Sequence, residues 1–536
     1  NQELINLDKR LLSNYFKNNG YFNVKIENSF VEFDKNSNFN LIYNITPGKK
    51  YFFNEFSLNL PSNYDVKLFK NITKKFSKLK GDTYSLLKIN NLLDDINDIA
   101  LSKQYEFINA SILEKIEGDK INFDINISES EKFYIEKINI TGNFSTLEEV
   151  IRNNLIVDEG DPFNEILFNK SVNNIQSLGI FKKVKTDIKD GTKDSFKEIN
   201  IDVEERPTGE ISLTAGFGTT GETIGAGIKE NNFLGKGIKL NTNLELTSES
   251  IKGQFIYAKP NFNYSDNTLF TSVKSSTSDF LTNSGYKTSE IGFSLGTKFE
   301  QFQNIFLSPE VDFLIEDLET SDKASTILKK QEGSYTDLYF NYSINQDLRD
   351  KRFRTESGYV TIFSQELPLV SDNAEFANAF EITNYKKLSS TSDMVGKISF
   401  FGKTITGLND DVRISKRLKV PSYRLRGFER GKVGPVENND YIGGNHITSL
   451  NLSATLPNIV EGLDNLDVGV FIDAANVWGV DYDSSIDDKS KLRSSTGVAL
   501  NLMTPVGPLS FSFANALTKA STDKTETFRF NLGTQF

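Results

Sequence analysis

The chain has 536 residues, no cysteine, a single histidine (His446) and a net charge of −11 with acid and base interleaved. That excludes disulfides, thiolate metal sites and thiol nucleophiles; no run approaches the ~18 consecutive apolar residues of a membrane helix, and no basic domain suits nucleic acid. Its 43 Phe, 19 Tyr and 36 Gly against a hydrophobic fraction of only 38% point to alternating strands.

Across residues 1–206, amphipathic helices alternate with short strands. Ile89, Leu92, Leu93, Ile96 and Ile99 recur at the spacing that puts one face of a helix in a core. Ile166, Phe168, Val172, Ile175 and Leu178 form a second stripe, which Gly179 is placed to end. The basic stretch Lys70 to Lys80 reads as a solvated helix face. One pattern occurs three times: a helix, then a turn and strand (Asn19–Ile26, Lys103–Ala110, Leu178–Val184), then a second strand (39–48, 121–130, 198–205). Aligning Gly20, Gln104 and Gly179 gives spacings of 84 and 75 residues, the period of an array of small α/β modules. The second and third copies open with a strand, Tyr51–Leu60 and Tyr134–Thr141, which the first lacks. The expected division is a partial module over 1–48, modules over 49–131 and 132–206, and a separate domain over 207–536, with the chain beginning inside a module.

From Pro207, helical periodicity gives way to period-two segments separated by Gly, Asn, Asp and Ser clusters. Val468, Val470 and Ile472 share one face, opposite Asp467, Gly469, Phe471 and Asp473. Leu509, Phe511 and Phe513 oppose Ser510, Ser512 and Ala514, and at the C-terminus Phe528, Phe530, Leu532 and Phe536 alternate with Arg529, Asn531, Gly533 and Gln535. An apolar face of this kind is buried in a soluble sandwich or meets lipid in an outer-membrane barrel. Segment lengths near the ~9–11 residues needed to cross hydrocarbon favour the barrel. So do Arg529, Asn531 and Asp473 on the opposite face, where a wet lumen suits them. Dividing ~330 residues by ~20 per strand and loop gives about sixteen strands.

Arg424-Leu-Arg-Gly-Phe-Glu-Arg-Gly resembles the [V/L]-R-G-[F/Y] loop motif of the outer-membrane assembly and two-partner-secretion superfamily. The repeated units look like its POTRA domains, βααββ in order. Phe471-Ile-Asp-Ala-Ala-Asn-Val-Trp-Gly, Asn231-Asn-Phe-Leu-Gly-Lys-Gly, Gly443-Gly-Asn, Thr504-Pro-Val-Gly-Pro-Leu and the Phe-terminated last strand fall in the order of its BamA-type branch. The resemblance implies α+β POTRA modules followed by an all-β, about sixteen-stranded antiparallel transmembrane barrel. It places Arg426 at the tip of a long loop folded into the lumen and paired with Asp473, with Gly427 making the turn and Phe428 packing beside it. Two departures stand out. Arg354 replaces a proline in Phe353-Arg-Thr-Glu-Ser-Gly, and Ser453 aligns where the family carries a glutamate facing the loop arginine, which argues against a two-carboxylate cage.

Other motifs have plainer explanations. From spacing alone Arg426 is as readily a surface-loop arginine in a basic run; the motif favours the lumen. Gly216-Phe-Gly-Thr-Thr-Gly221 fits a dinucleotide pattern, but it leads into another glycine-rich alternating segment rather than a helix. It reads as a weak first strand. His446, with no second histidine or cysteine, offers no metal or triad role.

The function implied is a non-enzymatic, cofactor-free insertase. A client strand cannot enter hydrocarbon with unpaired backbone groups and needs a template edge. A seam between a weak first strand (Ile211, Leu213, Gly216, Gly218) and the last strand (Phe528, Phe530, Leu532, Gly533, Phe536) would offer one, with fewer hydrogen bonds than other strand pairs. Expected partners are unfolded outer-membrane β-barrel clients, accessory lipoproteins carried by the POTRA modules, and outer-membrane lipid. The expected location is the outer membrane of a Gram-negative (diderm) bacterium, with the modules in the periplasm. Alternatives are a two-partner-secretion or autotransporter-assembly barrel of the same superfamily, or a passive porin or receptor.

Overall fold

The computed structural model describes residues 2–33, 39–61, 64, 66–102, 108–129, 133–219, 221–351, 355–389, 394–457, 466–504 and 507–532. They form two compact units, Asn1–Asn143 with Asn154–Glu205, and Phe144–Asn153 with Arg206–Phe536.

The first unit opens with the helix Gln2–Asn18 and the antiparallel strands Lys25–Phe33 and Phe39–Thr46. A complete βααββ module comes next. Its sheet runs Phe52–Asn59, Lys120–Glu129, Ile108–Glu117, the first pair parallel and the second antiparallel. Ile72 and Phe76 from the helix Lys70–Leu79, and Leu92 and Ile96 from the helix Leu86–Ser102, pack onto Ile125 and Ile127. The helical stripe thus meets the apolar face of the central strand, and Lys74, Lys75 and Lys78 are left in solvent. The next sheet repeats the order with Tyr134–Thr141, Phe196–Glu205 and Phe181–Asp190. The helix Glu165–Ser177 buries Phe168 and Ile175, the central strand buries Ile199 and Ile201, and Gly179 follows the helix at φ +69°.

In the second unit, sixteen antiparallel strands from Gly209–Gly218 to Phe528–Leu532 close into a barrel with neighbours in chain order. Alternation decides which face meets what. On Tyr286–Phe302, Ile291, Phe293 and Leu295 are exposed on the outer surface, and Thr288 and Ser294 are buried inside. Among the described residues no helix is long and apolar enough to cross a membrane; the strands do the crossing. The connection 408–445, between the strands Val395–Gly407 and His446–Pro457, folds back among inward-facing side chains.

Candidate functional site in the lumen and at the seam

Arg426 lies in the connection 408–445, and Asp473 on the inward face of the strand Leu466–Trp478. Nε of Arg426 donates to Asp473 Oδ2 at 2.7 Å and Nη2 to Oδ1 at 2.8 Å, a bidentate, charge-assisted pair. The Arg426 backbone N–H adds a third bond, to Oδ2 at 3.1 Å. The carboxylate is fully buried. Gly427 turns the chain at φ +88°, where an added Cβ would press on Ala514 and Ser495 at 3.1–3.2 Å. Phe428 packs with Val420, Leu425, Val433 and Val477, and the ring under the guanidinium is Phe471, 3.4 Å from its centroid. Opposite Asp473 in register stands Asn451, not Ser453, which pairs with Phe471. Asn451 Nδ2 donates to Asp473 Oδ1 at 2.9 Å and to the Arg424 carbonyl at 2.7 Å, so an amide occupies the place next to the single carboxylate.

Sequence reasoning missed most of the loop's anchors. Arg413 is fully buried, and its guanidinium donates to Glu316 (3.0 Å), Asp337 (2.6 Å) and Glu375 (3.2 Å) from three different strands. Burial alone would lower its proton affinity, but Glu375 and Glu316 raise it, so the cation is retained. Arg417 pairs with Asp481 and donates to Asn445 Oδ1 at 2.9 Å. Burial pushes the Asp481 carboxyl up, but Arg417 and the Val412 N–H outweigh it and hold it below the usual carboxylate range. Arg424 reaches Glu381 at 2.8 Å over the Phe401 ring. The available signal was an acidic residue on the inward parity of each facing strand, matched by a loop dense in Arg and Lys.

The loop is also tied to the end of the barrel. Glu429 N–H donates to the Lys524 carbonyl at 3.0 Å, Lys524 N–H to the Lys432 carbonyl at 3.1 Å, and Glu526 N–H to the Gly427 carbonyl at 3.1 Å. From the last strand, Arg529 donates to the carbonyls of Ser422 (3.0 Å) and Phe428 (2.6 Å) while pairing with Glu526. The Arg426 turn therefore touches both the Asp473 strand and the run that leads into the last strand.

At the seam, the strands Gly209–Gly218 and Phe528–Leu532 pair at Gly218–Asn531 and Phe217–Leu532 among the described residues, and Thr219 N–H donates to the Phe530 carbonyl at 3.2 Å. On its other edge the first strand is paired from Gly209 to Gly218. Ile211 and Leu213, on the outward face, are 78% and 83% exposed. Gly218 allows the close approach, since a Cβ there would lie 2.5 Å from the Phe530 carbonyl. Gly216 faces Leu532, and Phe217 and Phe530 hold their rings 5.9 Å apart across the join. Phe528 is outward and stacks near Phe511 and Phe513. Gly533 and Phe536 lie outside the described residues, as do Phe353 and Arg354.

His446 packs beside Trp478, 5.5 Å between rings. Gly216–Gly218 end a strand that turns back into another strand, Gly221–Phe233. The arrangement can lock a loop through buried ion pairs, and among the described residues it holds the first and last strands together by a short ladder.

Residues 232–536 match the Omp85 superfamily domain, and residues 133–206 match POTRA, the surface antigen variable number repeat. Outer membrane protein assembly factor BamA of Neisseria meningitidis serogroup B (strain ATCC BAA-335 / MC58) is 24% identical, over 100% of this chain and 73% of that protein. The crystal structure of BamA from Haemophilus ducreyi lacking POTRA domains 1–3 is similar with a TM-score of 0.64 at 21% identity, covering 90% of this chain and 100% of that one. CdiB from Escherichia coli is similar with a TM-score of 0.53 at 12% identity, covering 99% and 98%. The last two are likenesses of fold.

Proposed function

The chain belongs to the Omp85 superfamily of outer-membrane barrel assembly and secretion proteins, and from that premise we propose that it folds β-barrel clients into the outer membrane by templating their strands at the seam. What supports this reading is the first strand, paired along one whole edge and, among the described residues, along the other only at Phe217 and Gly218. Every unpaired backbone group in hydrocarbon costs several kcal/mol, so an edge of this kind favours any strand that arrives to satisfy it. A client strand added there exposes its own far edge and templates the next. No acid–base chemistry is needed.

The pair Arg426–Asp473 braces the barrel in this scheme, holding the loop against one wall while the seam opens. Through Gly427 and Arg529 the same turn reaches the last strand, so seam opening and loop docking are coupled. The modules, divided as 1–48, 49–131 and 132–206 ahead of a barrel over 207–536, receive unfolded clients and accessory lipoproteins in the periplasm through sheet edges such as Phe181–Asp190. A secretion barrel would instead pass a chain through the lumen, where the loop 408–445 is pinned by Arg413, Arg417, Arg424 and Arg426.

A reversible lock tests the proposal. Phe217→Cys with Leu532→Cys, in a chain with no other cysteine, places a disulfide at a paired position of the seam. Oxidation should lower client folding in proteoliposomes by about tenfold or more, and reduction should restore it. Client folding unchanged by the lock would overturn the mechanism, and ion conductance with no client folding in either state would point to a passive porin or receptor.

A further inference from the structure

Phe144 is 96% exposed, more than any other large apolar side chain among the described residues. It stands in the segment Phe144–Asn153, which clusters with the barrel. That segment is fixed to the turn after the strand Gly221–Phe233. Leu147 N–H donates to the Gly235 carbonyl at 2.9 Å, and Asn232 Nδ2 to Thr146 Oγ1 at 2.9 Å. The Ser145 carbonyl lies so close that a Cβ on Gly235 would sit 2.0 Å from it. Asn261 Nδ2 reaches the Asn153 carbonyl at 3.3 Å from the next turn on that rim.

Register shows which positions beside the segment face outward. On the strand Ile238–Thr247, Leu240, Leu244 and Leu246 share the outward parity, pairing with Glu230, Ala226 and Ile224. Ile238 has the same parity, yet it is only 6% exposed. Val150 sits over the adjoining Gly237, where a Cβ would meet Val150 Cγ1 at 3.0 Å. An outward position is thus covered next to the turn that the segment holds. Around it Leu234 is 69% exposed and held at φ +55°, a backbone conformation that a leucine adopts at a cost, and Phe233 and Phe262 are exposed as well.

We propose that Phe144, with Leu234 and Phe262, is a membrane-interface anchor whose ring inserts into the periplasmic leaflet beside the first strands of the barrel. The occupant is lipid, because the patch continues the outward apolar face of Ile224, Ile228 and Leu244 at the end of the strands where interfacial aromatics belong. Lys259, over the Phe262 ring at 5.9 Å, adds a cation at headgroup depth. The proposal rests on the barrel's place in the membrane and is independent of client insertion.

The test uses the full chain in vesicles of phosphatidylcholine brominated near the headgroup end of the acyl chains. The single tryptophan is first removed as Trp478→Phe, and Phe144→Trp then reports depth by quenching. Ile228→Trp, on the lipid-facing wall, and Tyr15→Trp, exposed in the other unit, give the two reference levels. Quenching of the Phe144→Trp protein should be at least about twofold and closer to the Ile228→Trp level. Quenching closer to the Tyr15→Trp level would overturn the anchor. Phe144→Cys carrying a polarity-sensitive dye gives the same reading without a tryptophan, with a blue shift on reconstitution expected and an unshifted spectrum contradicting it.

Discussion

The two sides of the barrel use their polar groups in opposite ways. On the wall formed by Ile305–Thr320, Gly333–Asp347 and Glu375–Lys387, acidic side chains are buried and locked onto one arginine, and the backbone ladders run nearly the full length of the strands. At the seam, among the described residues, no buried ion pair crosses between the two strands and the ladder is limited to Phe217 and Gly218. A barrel in lipid has no water to rescue unpaired groups, so a seam that opens is tolerable only if the rest of the barrel is held elsewhere. The lumen pairs provide that hold. In the proposed mechanism, rigidity on one side permits opening on the other.

The comparison is broken most severely at Arg413. Replacing it by alanine leaves Glu316, Asp337 and Glu375 confined without their cation, at a cost of about 3–5 kcal/mol or more. Unfolding in urea should shift accordingly, and trypsin should cut the released loop; Arg413→Lys should recover part of both. A change no larger than that of a surface substitution would show that the wall is not braced through this residue.

Arg426→Ala ranks next, at about 3 kcal/mol, since Asp473 keeps the Asn451 amide as a partner. The same unfolding assay reports it. Because the turn also carries the bonds to Glu526 and Arg529, this variant should additionally raise spontaneous seam opening, read as slower disulfide formation between Phe217→Cys and Leu532→Cys. Normal cross-linking would uncouple the motif from the seam.

Gly218→Ala sharpens the contrast from the other side. The added methyl meets the Phe530 carbonyl and Asn531, so it should abolish the remaining pairing and the same cross-link while costing the barrel only about 1 kcal/mol. A loss of stability as large as that of Arg413→Ala would mean that the seam is structural rather than a gate.

A pH dependence is expected at Lys419, in the loop among Phe280, Tyr286 and Ser284. Burial lowers its pKa to about 7. Between about pH 7 and the ordinary lysine value of 10.5 the unfolded chain holds a proton that the folded one lacks, so loop docking strengthens as pH rises through that window and is weakest below it. Proteolytic protection of the loop should therefore increase from about pH 7 to about pH 10, and Lys419→Met should flatten the dependence. An identical slope in both proteins would refute the assignment.

Much of this was legible in the residues. Helical stripes such as Ile89 to Ile99 mark one face of a helix and strand parity marks Asp473 as inward, because both periods are local. Parity cannot separate positions two apart, which is why Ser453 and Asn451 look equivalent until the register puts Asn451 opposite Asp473. The Arg413 cluster was beyond reach for another reason. Glu316, Asp337 and Glu375 lie 97, 76 and 38 residues from it, and only closure of the barrel brings three strands and a loop to one point. The placement of the Phe144 segment against a barrel turn depends on long-range bonds to Gly235 and Asn232 in the same way.

The central claim is that the seam edge of the first strand is the working surface. The direct measurement is a disulfide map of a client caught during folding, with single cysteines at Ile211 and Leu213 on the first strand and at Ile362 on the opposite wall, each tested against cysteines along the client's C-terminal strand. The account predicts cross-links at Ile211 and Leu213 whose client positions advance together in antiparallel register, and none at Ile362. Cross-links distributed equally around the barrel, or absent from the first strand while the client folds, would contradict it.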